Sequence, residues 1–333
     1  METNVILQGD CLARLRELPD ESVNCCVTSP PYWGLRDYGV EGQLGLEATP
    51  EEYVAHMVEV FREVRRVLRN DGTLWLNLGD SYYGCGTGHK DTGKAVYEGK
   101  DYDSAASVRT KIKGLKSKDL VGIPWMVAFA LRADGWYLRS DIVWAKPNPM
   151  PESVTDRPTR SHEYIFLLSK SQRYYYDAVA VREKSVYCDM KTSGAVYKDA
   201  HSYDRKHSDK QRGHGRRHAG FNERWDHLTK EEQGAMGRNK RDVWNVATRP
   251  FAEAHFATFP PDLIKPCILA GCPVGGVVLD PFGGSGTTGQ VALENCRKFV
   301  LTELNPAYIE IAMRRLRPFM EQKKLIEITE RLF

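Results

Sequence analysis

No stretch of the sequence approaches the ~20 consecutive apolar residues of a membrane-spanning helix, so no helical span is expected. The first residues carry Glu2 and Asn4 and lead straight into a strand-like segment. They lack the basic-then-apolar build of a signal peptide, and a cytoplasmic location is expected. The eight cysteines include Cys25 and Cys26 inside an apolar run, Cys85, Cys267, Cys272 and Cys296. None fall at metal-knuckle or disulfide-framework spacing, and a chain of 333 residues does not need staples, so reduced thiols are expected. There is no internal repeat, and there is little net charge, only +3.

That small net charge is unevenly spread. Residues 184–241 hold fourteen Lys/Arg against eight Asp/Glu, and residues 85–118 hold eight against four. The local balances of +6 and +4 leave about −7 for the rest of the chain, by subtraction from the total of +3. An acidic body with two basic insertions points to a polyanion that meets only part of the surface. The length fits two domains, or one large α/β domain with an insertion.

Along the chain, Val5-Ile6-Leu7 reads as a short strand ending at Gly9-Asp10. A helical stretch follows, with Leu12, Leu15 and Leu18 on one face. Val23 to Val27 is a buried strand. Thr49-Pro50-Glu51-Glu52 is a capping box with proline at the first helical position. The helix it opens buries Tyr53, Met57, Val60, Val64 and Val67 and is expected to stop at Asn70-Asp71-Gly72. Thr73 to Leu78 is a third strand, and Gly79 to Lys118 a long loop. A helix over Leu120 to Arg132 and strands over Tyr137 to Trp144 and Glu163 to Leu168 come next, with the extended Lys146-Pro147-Asn148-Pro149-Met150-Pro151 between those strands. Residues 184–245 lose apolar periodicity and gather five of the nine histidines, among them His207, His214 and His218. His and Cys do not pair at zinc-finger spacing, so no metal is expected. The segment reads as an inserted module that orders on its ligand. Strands over Val277 to Leu279 and Lys298 to Thr302 alternate with helices over Thr287 to Asn295 and Pro306 to Met320.

Two stretches carry chemistry. Thr28-Ser29-Pro30-Pro31-Tyr32-Trp33-Gly34 follows the second strand. Its two prolines lack N–H groups and fix φ, so the chain leaves the sheet as a stiff turn with carbonyl acceptors on its inner side. The Ser29 hydroxyl and the flat faces of Tyr32 and Trp33 lie beside them. An acceptor pair next to a stacking ring can hold a flat base by its amino group. The second stretch is Asp280-Pro281-Phe282-Gly283-Gly284-Ser285-Gly286-Thr287-Thr288-Gly289, a strand, a glycine-rich turn and a helix start. Glu303 ends the next strand, 23 residues past Asp280. This is the order of a mononucleotide-binding βα unit whose second-strand carboxylate accepts from ribose hydroxyls. The pattern alone fits a nicotinamide dinucleotide or S-adenosylmethionine. The extra acid Asp280 and the absence of a second mononucleotide half favour the latter.

With both motifs in place, the chain resembles the permuted class of DNA amino-methyltransferases often called beta. Thr28 to Tyr32 and Asp280 to Thr288 match that class's catalytic and S-adenosylmethionine motifs residue for residue. His255-Phe256-Ala257-Thr258-Phe259-Pro260 is similar to its helix-leading motif, and Gly9-Asp10 to its adenine-contacting turn. The likeness covers roughly 1–183 and 243–320. It implies a Rossmann-like S-adenosylmethionine-dependent methyltransferase fold, α/β, with a mostly parallel seven-stranded sheet, circularly permuted. Catalytic residues would lie in 1–183, a basic target-recognition insertion in 184–242, and the cofactor part in 243–333. The implied catalytic residues are Ser29, Pro30, Pro31 and Tyr32. The implied cofactor residues are Asp10, Cys11, Thr258, Phe259, Asp280, Pro281, Phe282, Gly284, Gly286, Thr287, Glu303 and Asn305. Arg205, Lys206, Lys210, Arg212, Arg216 and Arg217 would meet double-stranded DNA.

In this class Ser-Pro-Pro-Tyr goes mostly with cytosine N4, which is the expected target, and adenine N6 is the alternative. Pro266-Cys267 is followed by Ile268, so the Pro-Cys-Gln nucleophile motif of ring-carbon methylation is missing. A restriction endonuclease partner and a homodimer are compatible with the resemblance. Outside it stand a nicotinamide-dependent oxidoreductase, a DNA-binding homologue without activity, and a methyltransferase acting on RNA or protein.

Overall fold

The computed structural model describes residues 1–35, 37–84, 94–97, 100–103, 112, 114–184, 237–249 and 259–332. It divides into two compact units, Met1–Asp177 with Asp242–Phe333, and Ala178–Arg241.

The larger unit is built on one eight-stranded sheet. In chain order its elements are β1 (Val5–Gln8), α1 (Cys11–Glu17), β2 (Val23–Thr28), α2 (Pro50–Val67), β3 (Leu68–Leu78), the hairpin β4 (Lys94–Tyr97) and β5 (Lys100–Asp103), and α3 (Ile123–Ala133). There follow β6 (Tyr137–Ala145), β7 (His162–Ser169), β8 (Val243–Asn245), α4 (Pro261–Gly271), β9 (Val277–Asp280), α5 (Thr287–Glu294), β10 (Lys298–Glu303) and α6 (Pro306–Leu332). The strand order across the sheet is β1-β10-β9-β2-β3-β7-β6-β8. Only β7 runs against its neighbours; every other pairing is parallel.

This order positions the site. From β9 the chain proceeds to β10 on one side, and from β2 to β3 on the other. The order therefore reverses between β9 and β2, where Cys25 pairs with Val278 and Cys26 with Leu279. Open α/β sheets bind ligands outside the carboxyl ends of the strands at such a reversal. The double-proline turn leaves β2 there and the glycine turn leaves β9 there.

Local chemistry explains the elements around it. Thr49 Oγ1 accepts from Glu52 N (3.2 Å) and Glu52 Oε2 from Thr49 N (3.3 Å), so the capping box opens α2 as expected. The expected stripe of α2 is fully buried, with Phe61 added to it. Parallel strands covered on both faces read as continuous apolar runs, and β2 and β3 are buried over most of their length.

Four details depart from the sequence reading. The helix α2 stops at Val67 and β3 begins at once at Leu68, ahead of the expected Thr73. Gly72 does not cap the helix. A Cβ there would meet Arg69 O at 2.9 Å and Asn24 O at 3.1 Å, so the glycine lets β3 pass close to β2 where their register shifts. An eighth strand, β8, lies parallel to β6, fastened by Trp144 Nε1 donating to Val246 O (2.7 Å). The long loop after β3 contains the β4–β5 hairpin. Among the described residues, no helix is long and apolar enough to cross a membrane.

In the smaller unit, Glu183 and Arg238 exchange backbone hydrogen bonds, and the Glu183 carboxylate meets Arg238 (3.1 Å), Arg241 (3.0 Å) and Lys240 (3.9 Å). Residues 185–236, with Arg205, Lys206, Lys210, Arg212, Arg216 and Arg217, lie outside the described residues.

Candidate active site

A cleft lies at the strand-order reversal, with about 730 Å³ of space that is partly open to solvent. Ser29 and Pro31 of the early turn line it, with Pro281, Phe282 and Gly284 of the late turn. Gly9, Asp10 and Cys11 line it from the end of β1, and Glu303, Leu304, Asn305 and Tyr308 from the end of β10 and the start of α6. Two motifs about 250 residues apart in sequence therefore form two walls of one pocket.

A buried hydrogen bond ties them together. Thr28 Oγ1 donates to Asp280 Oδ1 at 2.6 Å across 252 residues. Asp280 also accepts from Phe282 N at Oδ1 (3.0 Å) and from Thr288 Oγ1 at Oδ2 (2.6 Å). All three donors belong to the protein, and Asp280 is 1% exposed. The sequence reading puts Asp280 at the cofactor. In the structure it fastens the two turns to each other and does not line the cleft. Burial pushes its carboxyl up to about 6, against the pull of those three bonds.

Glu303 is better placed for a ligand. Its Oε2 accepts from Gly284 N and its Oε1 from Asn305 N, each at 2.8 Å, and the residue lines the cleft. Burial raises its carboxyl above the ordinary value, and the bonds from Asn305 and Gly284 oppose that rise. Gly284 sits at φ +49°, a left-handed backbone that favours glycine. Asp10 Oδ1 caps α1 through Ala13 N (2.9 Å). The Cys11 thiol is pushed up to about 12 by burial first and the nearby Asp10 charge second, so it stays a thiol and is no nucleophile.

Gly286 and Thr287 begin α5 behind the turn and are buried; Thr287 Oγ1 accepts from Arg315 Nη1 (2.9 Å). Phe259 is not among the lining residues, and Thr258 lies outside the described residues.

The early turn is held from below. Tyr53 Oη donates to Pro31 O (2.9 Å). Trp33, expected to offer a flat face beside Tyr32, is 2% exposed in the core and donates Nε1 to Glu47 O (2.9 Å). Tyr32 Oη donates to Glu163 Oε2 (2.8 Å) and accepts from Ser29 Oγ (3.2 Å). Asn77 and Lys146 complete this polar cluster around Glu163.

Neither Asn77, Lys146 and Glu163 nor the loop over 38–44 stands out in the sequence. Tyr38, Val40, Gly42, Gln43 and Leu44 also line the cleft, and Tyr38 meets Tyr308 edge-on at 6.4 Å. The available signal is four glycines at 34, 39, 42 and 45 directly after the double-proline turn, all with positive φ.

The lining fits an adenosyl group. Carboxylate and backbone acceptors at Glu303 and Asp10 suit ribose and amine donors, and Phe282, Leu304 and Tyr308 supply apolar and flat walls. Fold and cleft together define a Rossmann-like methyltransferase that uses S-adenosyl-L-methionine.

Residues 23–314 match the N6/N4 methyltransferase family model described as DNA methylase, and the chain belongs to that family. It is 49% identical over 312 residues to the type II methyltransferase M.Cfr9I of Citrobacter freundii, covering 93% of this chain and 87% of that one. It is 45% identical over 312 residues to the type II methyltransferase M.SmaI of Serratia marcescens, covering 93% and 90%. Among solved structures it is similar to the PvuII DNA methyltransferase (cytosine-N4-specific), with TM-score 0.60 at 18% identity over 94% of this chain and 86% of that one. It is also similar to the putative DNA modification methylase TTHA0409 of Thermus thermophilus, complexed with S-adenosyl-L-methionine, with TM-score 0.52 at 23% identity over 94% and 95%. The chain is thus a DNA methylase of the N6/N4 amino-methyltransferase family, and the oxidoreductase alternative falls.

Proposed function

We propose that the protein methylates cytosine N4 in double-stranded DNA, at a base flipped into the cleft beside Ser29. The reading is carried by Ser29 lining the same pocket as Gly284 and Glu303. When bound, S-adenosylmethionine supplies an electrophilic sulfonium methyl. Glu303 is proposed to hold its ribose, Asp10 and Cys11 its adenosyl side, and Pro281, Phe282, Gly284 and Asn305 its remaining flank. Asp280, Gly286 and Thr287 act behind them by fixing the glycine turn. Thr258 and Phe259 are proposed for the methionine end.

An exocyclic amino nitrogen is a poor nucleophile because its lone pair is delocalised into the ring. Acceptors at Ser29 Oγ and the Pro30 carbonyl would take its two N–H groups, draw the nitrogen toward tetrahedral geometry and localise that pair. Pro31 stiffens the turn. Positioning and electrostatics of this kind supply most of the rate without a covalent intermediate. The Tyr32 ring would stack on the base, at roughly 1–3 kcal/mol, which offsets much of the few kcal/mol of extrusion. The basic residues Arg205, Lys206, Lys210, Arg212, Arg216 and Arg217 are proposed to contact DNA, with the insertion reading base edges. A cognate restriction endonuclease would complete the system.

Cytosine is chosen over adenine because, in the class the chain resembles, a Ser-Pro-Pro-Tyr turn goes mostly with cytosine N4. Digestion of DNA methylated by the purified protein to nucleosides, followed by mass spectrometry, tests it. N4-methylcytosine is expected; N6-methyladenine alone would overturn the choice of base.

A further inference from the structure

The polar cluster behind Ser29 has a direction. Glu163 leaves β7 beneath the double-proline turn and is largely buried, as is its partner Lys146 at the end of β6. Lys146 Nζ donates to Glu163 Oε1 and lies over the Trp144 ring, 4.4 Å from its centre. Glu163 Oε2 receives Tyr32 Oη (2.8 Å) and Asn77 Nδ2 (3.2 Å), and the same Asn77 amide donates to Tyr164 O (3.0 Å). A carboxylate paired with an ammonium can only accept. Tyr32 must therefore spend its single proton on Glu163. The Asn77 Oδ1 contact to Tyr32 Oη, at 3.2 Å, is the longer of the two. Burial first, and the Glu163 charge second, keep the Tyr32 phenol well above its ordinary value, so that proton stays on the ring oxygen.

With its proton committed, Tyr32 Oη presents only lone pairs to Ser29, and the Ser29 hydroxyl donates to it at 3.2 Å. The remaining lone pairs of Ser29 Oγ are then left for the cleft that the residue lines. A free serine hydroxyl could meet an amino group as donor or acceptor, and only acceptance localises the nitrogen's lone pair. We infer that Glu163, held by Lys146, is a positioning residue that works through Tyr32 to fix Ser29 as a hydrogen-bond acceptor for the target amino group. The inference rests on the proposed methylation of an amino group beside Ser29. It also gives Tyr32 a second task besides stacking.

Glu163→Gln tests it. In that variant Lys146 claims the amide oxygen, the amide NH2 turns to Tyr32, Tyr32 donates to Ser29, and Ser29 presents its proton to the cleft. The single-turnover methylation rate, at saturating cofactor and DNA, is expected to fall on the order of 10²-fold, the size of losing one preorganised polar contact. S-adenosylmethionine and DNA dissociation constants are expected to stay within about twofold. Adding Lys146→Met frees the glutamine to turn its oxygen to Tyr32, and the double variant is expected to recover about tenfold over Glu163→Gln. A merely structural ion pair predicts the opposite, since the double variant then loses both partners.

A wild-type rate in Glu163→Gln, or a double variant no faster than the single one, would overturn the inference. If Glu163→Gln no longer binds S-adenosylmethionine, Tyr32→Phe decides: it removes the link itself, and a wild-type rate there would overturn the inference too. Failure of the proposed function looks different, because the wild-type protein itself would then leave no methylated amino group on DNA.

Discussion

Thr28→Val is the sharpest probe of how the two motifs are joined. Valine matches threonine in shape, so the substitution removes one hydroxyl and little else. The lost bond is the 2.6 Å donation to Asp280 Oδ1, in a place where neither residue is more than 1% exposed. A hydrogen bond to a charged acceptor contributes about 1.5–3 kcal/mol. Asp280 ionised would keep only Thr288 and Phe282 N as donors. Its carboxyl already sits at about 6, above the ordinary value of 3.8, because of burial. Losing a donor that favours the charged form raises it further, at about 1.4 kcal/mol for each pH unit.

The sign follows from linkage. A folded-state value above the unfolded one means the folded protein binds the proton more readily. The cost of burying this carboxylate is therefore fully felt above pH 6 or so and is relieved as pH falls toward the unfolded value. The variant raises the folded value further, so its deficit against wild type is full above both folded values, shrinks as pH falls below the variant's value, and is mostly gone below about 6. Urea unfolding at pH 8 and pH 5 measures it: a deficit of about 2 kcal/mol at pH 8 and less than half of that at pH 5 is expected. A deficit that is the same at both pH values would refute the assignment of Asp280 as the ionised tie between the turns.

Other perturbations follow from the same geometry. A Cβ on Gly79 would meet Tyr32 Cε2 at 2.5 Å and Cδ2 at 2.9 Å, so Gly79→Ala displaces the Tyr32 ring. A loss in methylation rate on the order of 10²-fold is expected, with cofactor affinity kept, by rapid-quench assay and calorimetry. Glu303→Gln sets an amide N–H against the backbone N–H of Gly284 or Asn305 and weakens ribose acceptance. Calorimetric titration should show S-adenosylmethionine binding weaker by on the order of 10-fold or more, while an unchanged affinity would remove Glu303 from the cofactor site. DNA affinity should fall steeply and log-linearly with salt through counterion release. Deleting 190–240 should abolish sequence preference with cofactor binding intact.

Much of this architecture is legible in sequence because parallel strands must be buried on both faces and helices on one. The stripe of α2, the capping box at Thr49 and the strand–glycine–helix order at Asp280 are local patterns with local causes. Neighbourhood is harder to read. The roles of Glu163 and Lys146 depend on β7 running antiparallel beside β3, which brings residues 131 apart in sequence within 2.8 Å. Asp280 looks like a ligand-facing acid in a motif, and only the folded chain shows it occupied by two threonine hydroxyls, Thr288 from its own motif and Thr28 through the meeting of β2 with β9. Gly72 misleads for a similar reason. Next to a helix it reads as a cap, whereas the structure uses its missing Cβ for a close approach to Asn24.

A crystal structure of the protein with S-adenosylmethionine addresses the central claim most directly. The account predicts the ribose against Glu303 and the sulfonium methyl within about 6 Å of Ser29 Oγ, near enough for one nitrogen to lie roughly 3 Å from both. A cofactor bound elsewhere, or with its methyl turned away from Ser29 and out of such reach, would contradict it.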